Sequence, residues 1–163
     1  MRLHVFAAVA VVRYVNQDDP ALGTEIAKPS GGCPVNLRSY NGISEDDFRI
    51  LVVEDDQLIR ETVADILTSE GFDVLEAESG EEALHFCGMH SADLIFTDIR
   101  LAGPLTGWDV AERCRAENPD IPVIYVTGFS DVRPRPVPGS LFFHKPYSPE
   151  QILAAIHSFG PPA

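Results

Sequence analysis

Long apolar runs are missing from this 163-residue chain. None approaches the roughly 18 residues that a membrane-spanning helix requires, which excludes an integral helical membrane protein. Cysteine is sparse and without pattern. Cys33, Cys87 and Cys114 show no CxxC or Cys/His spacing, so neither a metal knuckle nor a disulfide framework is indicated, and reduced thiols in a cytoplasmic protein are the expectation. Positive charge is scarce as well. Twelve Lys+Arg face twenty-five Asp+Glu, a net charge of −13. Such a field repels phosphate backbones and anionic lipid, which argues against direct nucleic-acid or membrane binding by this chain alone. What is present, 45% hydrophobic and 23% charged residues, is the composition of a globular protein able to bury a core. The length suits one domain with an extension.

The chain divides unequally. Residues 1–47 hold an apolar patch, Met1 to Val15, and then turn punctuation: Asp18-Asp19-Pro20, Lys28-Pro29-Ser30-Gly31-Gly32 and Cys33-Pro34. Arg2 and the apolar Val5 to Val12 have the outline of a secretory signal, but no small-x-small cleavage site follows. A poorly structured or weakly docked N-terminal extension is the expectation, and an over-long start of the coding region fits the same residues.

From residue 48 the pattern is regular, and a domain over 48–160 is expected. Apolar, β-branched runs at Phe48–Val53, Phe72–Ala77, Asp93–Asp98, Ile121–Thr127 and Leu141–His144 read as buried parallel strands. Between them lie helical patterns. Gln57–Glu70 places Leu58, Ile59, Val63, Ile66 and Leu67 on one face, with Gly71 at its end. Ser79-Gly80-Glu81-Glu82 reads as a capping box opening a helix to about Cys87. Trp108 to Glu117 is stopped by Asn118-Pro119, and Ser148-Pro149-Glu150-Gln151 opens a last helix. Such alternation predicts an α/β fold with a doubly wound parallel sheet.

In such sheets ligands bind beyond the carboxyl ends of the strands. Four of the five predicted strands deliver polar groups there: Glu54-Asp55-Asp56, Asp98, Thr127-Gly128 and His144-Lys145-Pro146. Clustered carboxylates raise one another's pKa unless a cation offsets them, and Mg2+ accepts such oxygens together with water and phosphoryl oxygen. An aspartate can itself be a nucleophile, and a lysine opposite it suits phosphoryl transfer. The plainer reading is that acids after strands form turns and helix N-caps, Glu54 to Asp56 included. Lys145 weighs against it: it is the sole lysine after Lys28, and the seven other basic residues of the domain are arginines, which cannot replace a flexible point charge.

At these residues the chain resembles the receiver domain of two-component response regulators. The resemblance covers about Phe48 to Phe159 and rests on Ile50-Leu51-Val52-Val53-Glu54-Asp55-Asp56, Asp93-Leu94-Ile95-Phe96-Thr97-Asp98, Val126-Thr127-Gly128 and His144-Lys145-Pro146-Tyr147, in that order. It implies a flavodoxin-like five-stranded sheet. It also implies a role for each residue: Asp98 as phosphoacceptor for a sensor histidine kinase or histidine phosphotransfer protein, and Asp55 and Asp98 as Mg2+ ligands, with Glu54 acting through water. Arg100 would give its backbone carbonyl to the metal, Thr127 would be the switch hydroxyl and Phe142 the aromatic switch. Lys145 would be the phosphoryl partner, before a cis bond to Pro146. The implied activity is phosphotransfer to the domain itself and autodephosphorylation, without enzyme action on other substrates.

Three departures stand out. Leu101 to Gly107 is a residue longer than the usual loop. Only seventeen residues separate Thr127 from Lys145, with Pro134, Pro136 and Pro138 among them, so the fourth helix is expected to be shortened or missing. The chain also stops soon after the last helix, which predicts a stand-alone receiver signalling through protein contacts. The competing expectation is a phosphorylation-independent protein-binding module on the same fold. An aspartate-nucleophile phosphatase would need a general acid two residues after Asp98, where Arg100 stands.

Overall fold

The computed structural model describes residues 13–15, 48–89, 91–128 and 133–160. Its elements are β1 (Arg13–Val15), β2 (Arg49–Val53), α1 (Gln57–Ser69), β3 (Asp73–Ala77), α2 (Gly80–Gly88), β4 (Leu94–Asp98), α3 (Gly107–Glu117), β5 (Val123–Thr127), β6 (Leu141–His144) and α4 (Pro149–His157). All described strand pairs are parallel, and the sheet order is β1-β6-β5-β4-β2-β3. The five strands from β2 to β6 are those expected. The sixth, β1, was not: three residues pair with Leu141–Phe143 and extend the sheet beyond β6. The remainder of the extension, the signal-like residues Arg2 and Val5 to Val12 included, lies outside the described residues.

The local signals act as their chemistry dictates. Asp56 caps α1, its Oδ1 accepting from the Leu58 and Ile59 amides at 3.0 and 3.2 Å. Gly71 follows α1 at φ 91°, where a Cβ would be strained. Full capping boxes open α3 (Thr106 with Asp109) and α4 (Ser148 with Gln151). The predicted box at α2 is only half made. Ser79 accepts from the Glu82 amide, but the Glu82 carboxylate turns to the Glu78 amide instead.

Strands β4 and β5 are buried along their whole length, so each lines two cores. Leu51, Val53, Ile95 and Tyr125 face α2 and α3 on one side; Ile50, Val52, Phe96 and Val126 face α1 and α4 on the other. This is the doubly wound arrangement, with the chain reversing its direction of travel between β2 and β4.

The described residues between β5 and β6 contain no helix, as the alternating prolines dictate. Residues 133–140 form a strap instead. Val137 is buried and its amide donates to the Tyr125 phenol oxygen at 3.3 Å. Arg115, on α3, donates to the carbonyls of Ile121, Pro119 and Pro138 at 2.7, 2.9 and 3.1 Å. Arg135 reaches back to Asp109 at 2.8 Å and Glu112 at 3.2 Å. Arginine's fixed fork makes such multiple attachments possible.

One expectation is corrected. Cys87 and Cys114 are not separate reduced thiols but a disulfide joining α2 to α3, with Cα atoms 5.5 Å apart. They are 27 residues apart in sequence, and β4 lies between them; their meeting is made by helix packing.

Candidate functional site

The ends of β2 and β4 flank the point where the chain reverses, and Glu54 and Asp98 stand there. Glu54 directly follows β2 and is buried; Asp98 closes β4 and is 7% exposed. Backbone bonds fix both ends. The Glu54 amide donates to the Ala77 carbonyl at 3.1 Å, and the Ile99 amide to the Val126 carbonyl at 3.1 Å.

Lys145 reaches this point from beyond β6. Its Nζ lies 2.5 Å from Asp98 Oδ2 and 2.8 Å from Glu54 Oε2, while its amide donates to the Thr127 carbonyl at 2.8 Å. That bond ties the ends of β5 and β6 and aims the ammonium across β5 towards β4. The peptide bond to Pro146 is cis. The second oxygen of Asp98, Oδ1, accepts from the Arg100 amide at 2.8 Å, so both oxygens are held.

Two carboxylates thus share one ammonium. Burial pushes the Glu54 carboxyl above the usual range; the Lys145 hydrogen bond and charge draw it down only in part, and the Asp98 charge adds to the rise. For Lys145 burial alone would lower the pKa. The hydrogen bonds and charges of Asp98 and Glu54 outweigh it, and the ammonium is held above its ordinary value. Tyr147, half-buried against Phe96 and close to this cluster, is pushed up to about 12 by desolvation. The lysine is firmly charged, and the excess negative charge of the pair lacks a full counter-ion.

The remaining predicted residues are placed as follows. Asp55 is exposed at the end of β2. Arg100 follows β4 directly after Ile99, with its side chain exposed. Thr127 is fully buried at the end of β5. Phe142 is buried, stacked on Trp108 at 6.2 Å between ring centroids and edge-on to His144 at 5.0 Å. Trp108 packs on Tyr125 at 4.3 Å as well. Glu54, Asp98 and Lys145 are in contact; Asp55, Thr127 and Phe142 border them on the same sheet edge or behind it.

Among the described residues no three His, Cys, Asp or Glu side chains form a closed metal cage. The donors at this edge, the carboxylates of Asp98, Asp55 and Glu54 and the Arg100 carbonyl, are all hard oxygens in an open set. Mg2+ fits such a set, since it keeps several waters and takes one or two carboxylates plus a phosphoryl oxygen.

Sequence reading missed two supports. Arg60 donates to the Glu54 carbonyl at 2.8 Å and faces Glu76 at 3.5 Å, bracing the end of β2; its position on the first turn of an exposed helix gave no signal. Gly107 is the other. A Cβ there would lie 2.1 Å from the Asp98 carbonyl oxygen, so α3 abuts the backbone of Asp98 itself. Beside the site, exposed Leu58 and Ile59 of α1 join Tyr147, Pro149 and Ile152 in lining an apolar groove of about 310 Å³.

This sheet order, with a core on each face and polar side chains at the carboxyl ends of the strands, defines a doubly wound α/β domain. Residues 50–157 match the response regulator receiver domain, and the chain belongs to that family, a signalling module of two-component systems. Curated relatives include the probable transcriptional regulator ycf27 of Cyanidium caldarium, 34% identical over 75% of this chain and 50% of its own. The cell cycle transcriptional regulator CtrA of Caulobacter vibrioides is 30% identical over 68% and 49%. The chain spans about half the length of these relatives. Among solved structures, a response regulator receiver protein of Sinorhizobium medicae superposes with a TM-score of 0.68 at 28% identity, over 71% of this chain and 96% of that one. The receiver domain of the hybrid histidine kinase CckA superposes at 0.59, also at 28% identity, over 68% and 97%. No described helix is long and apolar enough to cross a membrane.

Proposed function

We propose that Asp98 accepts a phosphoryl group from a sensor histidine kinase or a histidine phosphotransfer protein, and that the domain passes its state on through protein contacts. The observation that carries this reading is Lys145 Nζ bridging Asp98 and Glu54 at the point where the sheet reverses.

A carboxylate oxygen of Asp98 attacks phosphorus, the P–N bond to the donor imidazole breaks, and the imidazole nitrogen leaves with the bond's electron pair. Lys145 gives up its contact with the Asp98 carboxylate and follows the negative charge onto a phosphoryl oxygen, staying paired with Glu54. Asp98, Asp55 and the Arg100 carbonyl, with Glu54 acting through water, would hold Mg2+, which would supply charge neutralisation for the transferring group. Thr127 stands one strand away to receive another phosphoryl oxygen, and Phe142 lies behind it as the packing element that registers the change. Attack of water on phosphorus later releases phosphate and restores Asp98. Positioning and electrostatics are the whole of the catalytic contribution. The apolar groove of Leu58, Ile59 and Tyr147 borders the site and suits the helix of such a donor.

Intact mass after incubation with acetyl phosphate and Mg2+ tests this. The wild type gains one phosphoryl mass, Mg2+ is required, and Asp98→Ala gains none. One observation favours a second reading, a binding module unresponsive to phosphate: the strap over 133–140 replaces the helix on the face behind Thr127. Failure of both phosphoryl transfer and beryllofluoride binding would select that reading.

A further inference from the structure

We propose that Cys87 and Cys114 are a reversible oxidation site, a dithiol that closes into a disulfide and clasps α2 to α3. The pair is placed by the fold. Cys87 lies one residue before the end of α2 and Cys114 three before the end of α3; both are buried, at 7% and 1% exposure, with Cα atoms 5.5 Å apart. That separation lies in the range a disulfide spans. Both belong to one apolar core cluster with Ala83, Ala92, Val110, Ala111 and Ile121, and the phosphoryl chemistry proposed for the carboxyl edge of the sheet does not use them.

The oxidant class is a peroxide. The Cys87 sulfur, the less buried of the two, attacks a peroxide oxygen; the O–O bond breaks, a sulfenic acid forms and water leaves. The Cys114 sulfur then attacks the sulfenic sulfur, the S–O bond breaks, the S–S bond forms and a second water leaves. Two thiols and one hydrogen peroxide give one disulfide and two waters, with two electrons passing from sulfur to oxygen. A dithiol reductant reverses the change by exchange through a mixed disulfide. Both sulfurs are buried away from solvent, so closure is slow and follows opening of the last turn of α2.

The consequence lies in the loop between β4 and α3. Its residue Leu105 packs on Gly80 at the start of α2, and Gly107 at the start of α3 abuts Asp98. Oxidation fixes the two helices that hold this loop. Closing a loop of this length raises the melting temperature by about 10 °C.

The test uses the full chain, incubated with hydrogen peroxide or with a dithiol, then denatured and alkylated with N-ethylmaleimide. The reduced protein takes three alkyl groups, one per cysteine. The oxidised protein takes one, peptide mapping joins the peptides of Cys87 and Cys114, and its melting temperature lies about 10 °C above that of the reduced form. Cys87→Ala and Cys114→Ala each abolish the difference between the two forms. Should a variant fail to fold, wild-type alkylation and mapping decide alone. Three alkyl groups after peroxide, a link through Cys33, or oxygen addition in place of the disulfide overturns the proposal. None of these outcomes depends on phosphorylation.

Discussion

Replacing Lys145 by methionine removes the ammonium and keeps an apolar stem of similar length. Glu54 and Asp98 then face each other without a cation. Removing one partner of a buried pair costs about 3–5 kcal/mol. The side chains here are 6% exposed for Glu54, 10% for Asp98 and 21% for Lys145; screening at the lysine reduces the expected loss to about 2–3 kcal/mol at pH 7. That corresponds to about 10 °C in melting temperature for a domain of this size. The loss depends on pH with a definite sign. Glu54 already titrates above its ordinary value through burial, and without Lys145 it rises further. Between the unfolded and folded pKa the native state holds a proton that the unfolded chain lacks, so stability falls as pH rises through that window. The deficit of Lys145→Met is therefore smallest near pH 4.5 and grows towards pH 7, and Mg2+ recovers part of it by ligand linkage. Urea unfolding followed by the fluorescence of Trp108, the single tryptophan, measures it. Equal stability at pH 7, or a deficit of the same size at both pH values, would refute the shared-cation account.

Asp109 is held at about pKa 2, first by the Thr106 hydroxyl and then by Arg135; its depressed value contributes stability above the unfolded pKa that is lost as pH falls through about 2, and Asp109→Asn should cost about 1–2 kcal/mol at pH 7 and flatten the acid limb of an unfolding profile. Gly107→Ala forces a Cβ against the Asp98 carbonyl and should cost about 3 kcal/mol by denaturant titration, with slower phosphorylation by acetyl phosphate. Tyr125→Phe removes the acceptor of the Val137 amide; a loss of about 1 kcal/mol and faster proteolysis between residues 133 and 140 are expected.

Much of this was written locally and could be read. The strands from β2 to β6 carry their own apolar runs, and helix starts such as Ser148-Pro149 carry their own caps, so short-range chemistry located them. Glu54, Asp98 and Lys145 were identifiable because a doubly wound sheet brings strand ends together whatever loops intervene. Other features depend on packing between distant segments. The pairing of Arg13–Val15 with β6 has no local mark, since any three-residue run of that kind could lie on an edge. The cysteine spacing shows no motif; α2 and α3 place the two sulfurs together by lying side by side. The prolines foretold that residues 133–140 hold no helix but not what they form instead, because Arg115 and Tyr125, which hold the strap, belong to other elements.

The strap has a mechanical consequence. A helix at that position would be a stiff rod, able to tilt or rotate and so report direction. Residues 133–140 are an irregular tether, pinned at Val137 and Pro138 and at the Arg135 ion pairs. Its alternating prolines stiffen it locally, but without a helix axis it offers no rod to tilt and shifts only as its pins give way. A partner that reads the end of β5 through this face would sense how far the pins have loosened, a graded quantity, and not the orientation of a lever.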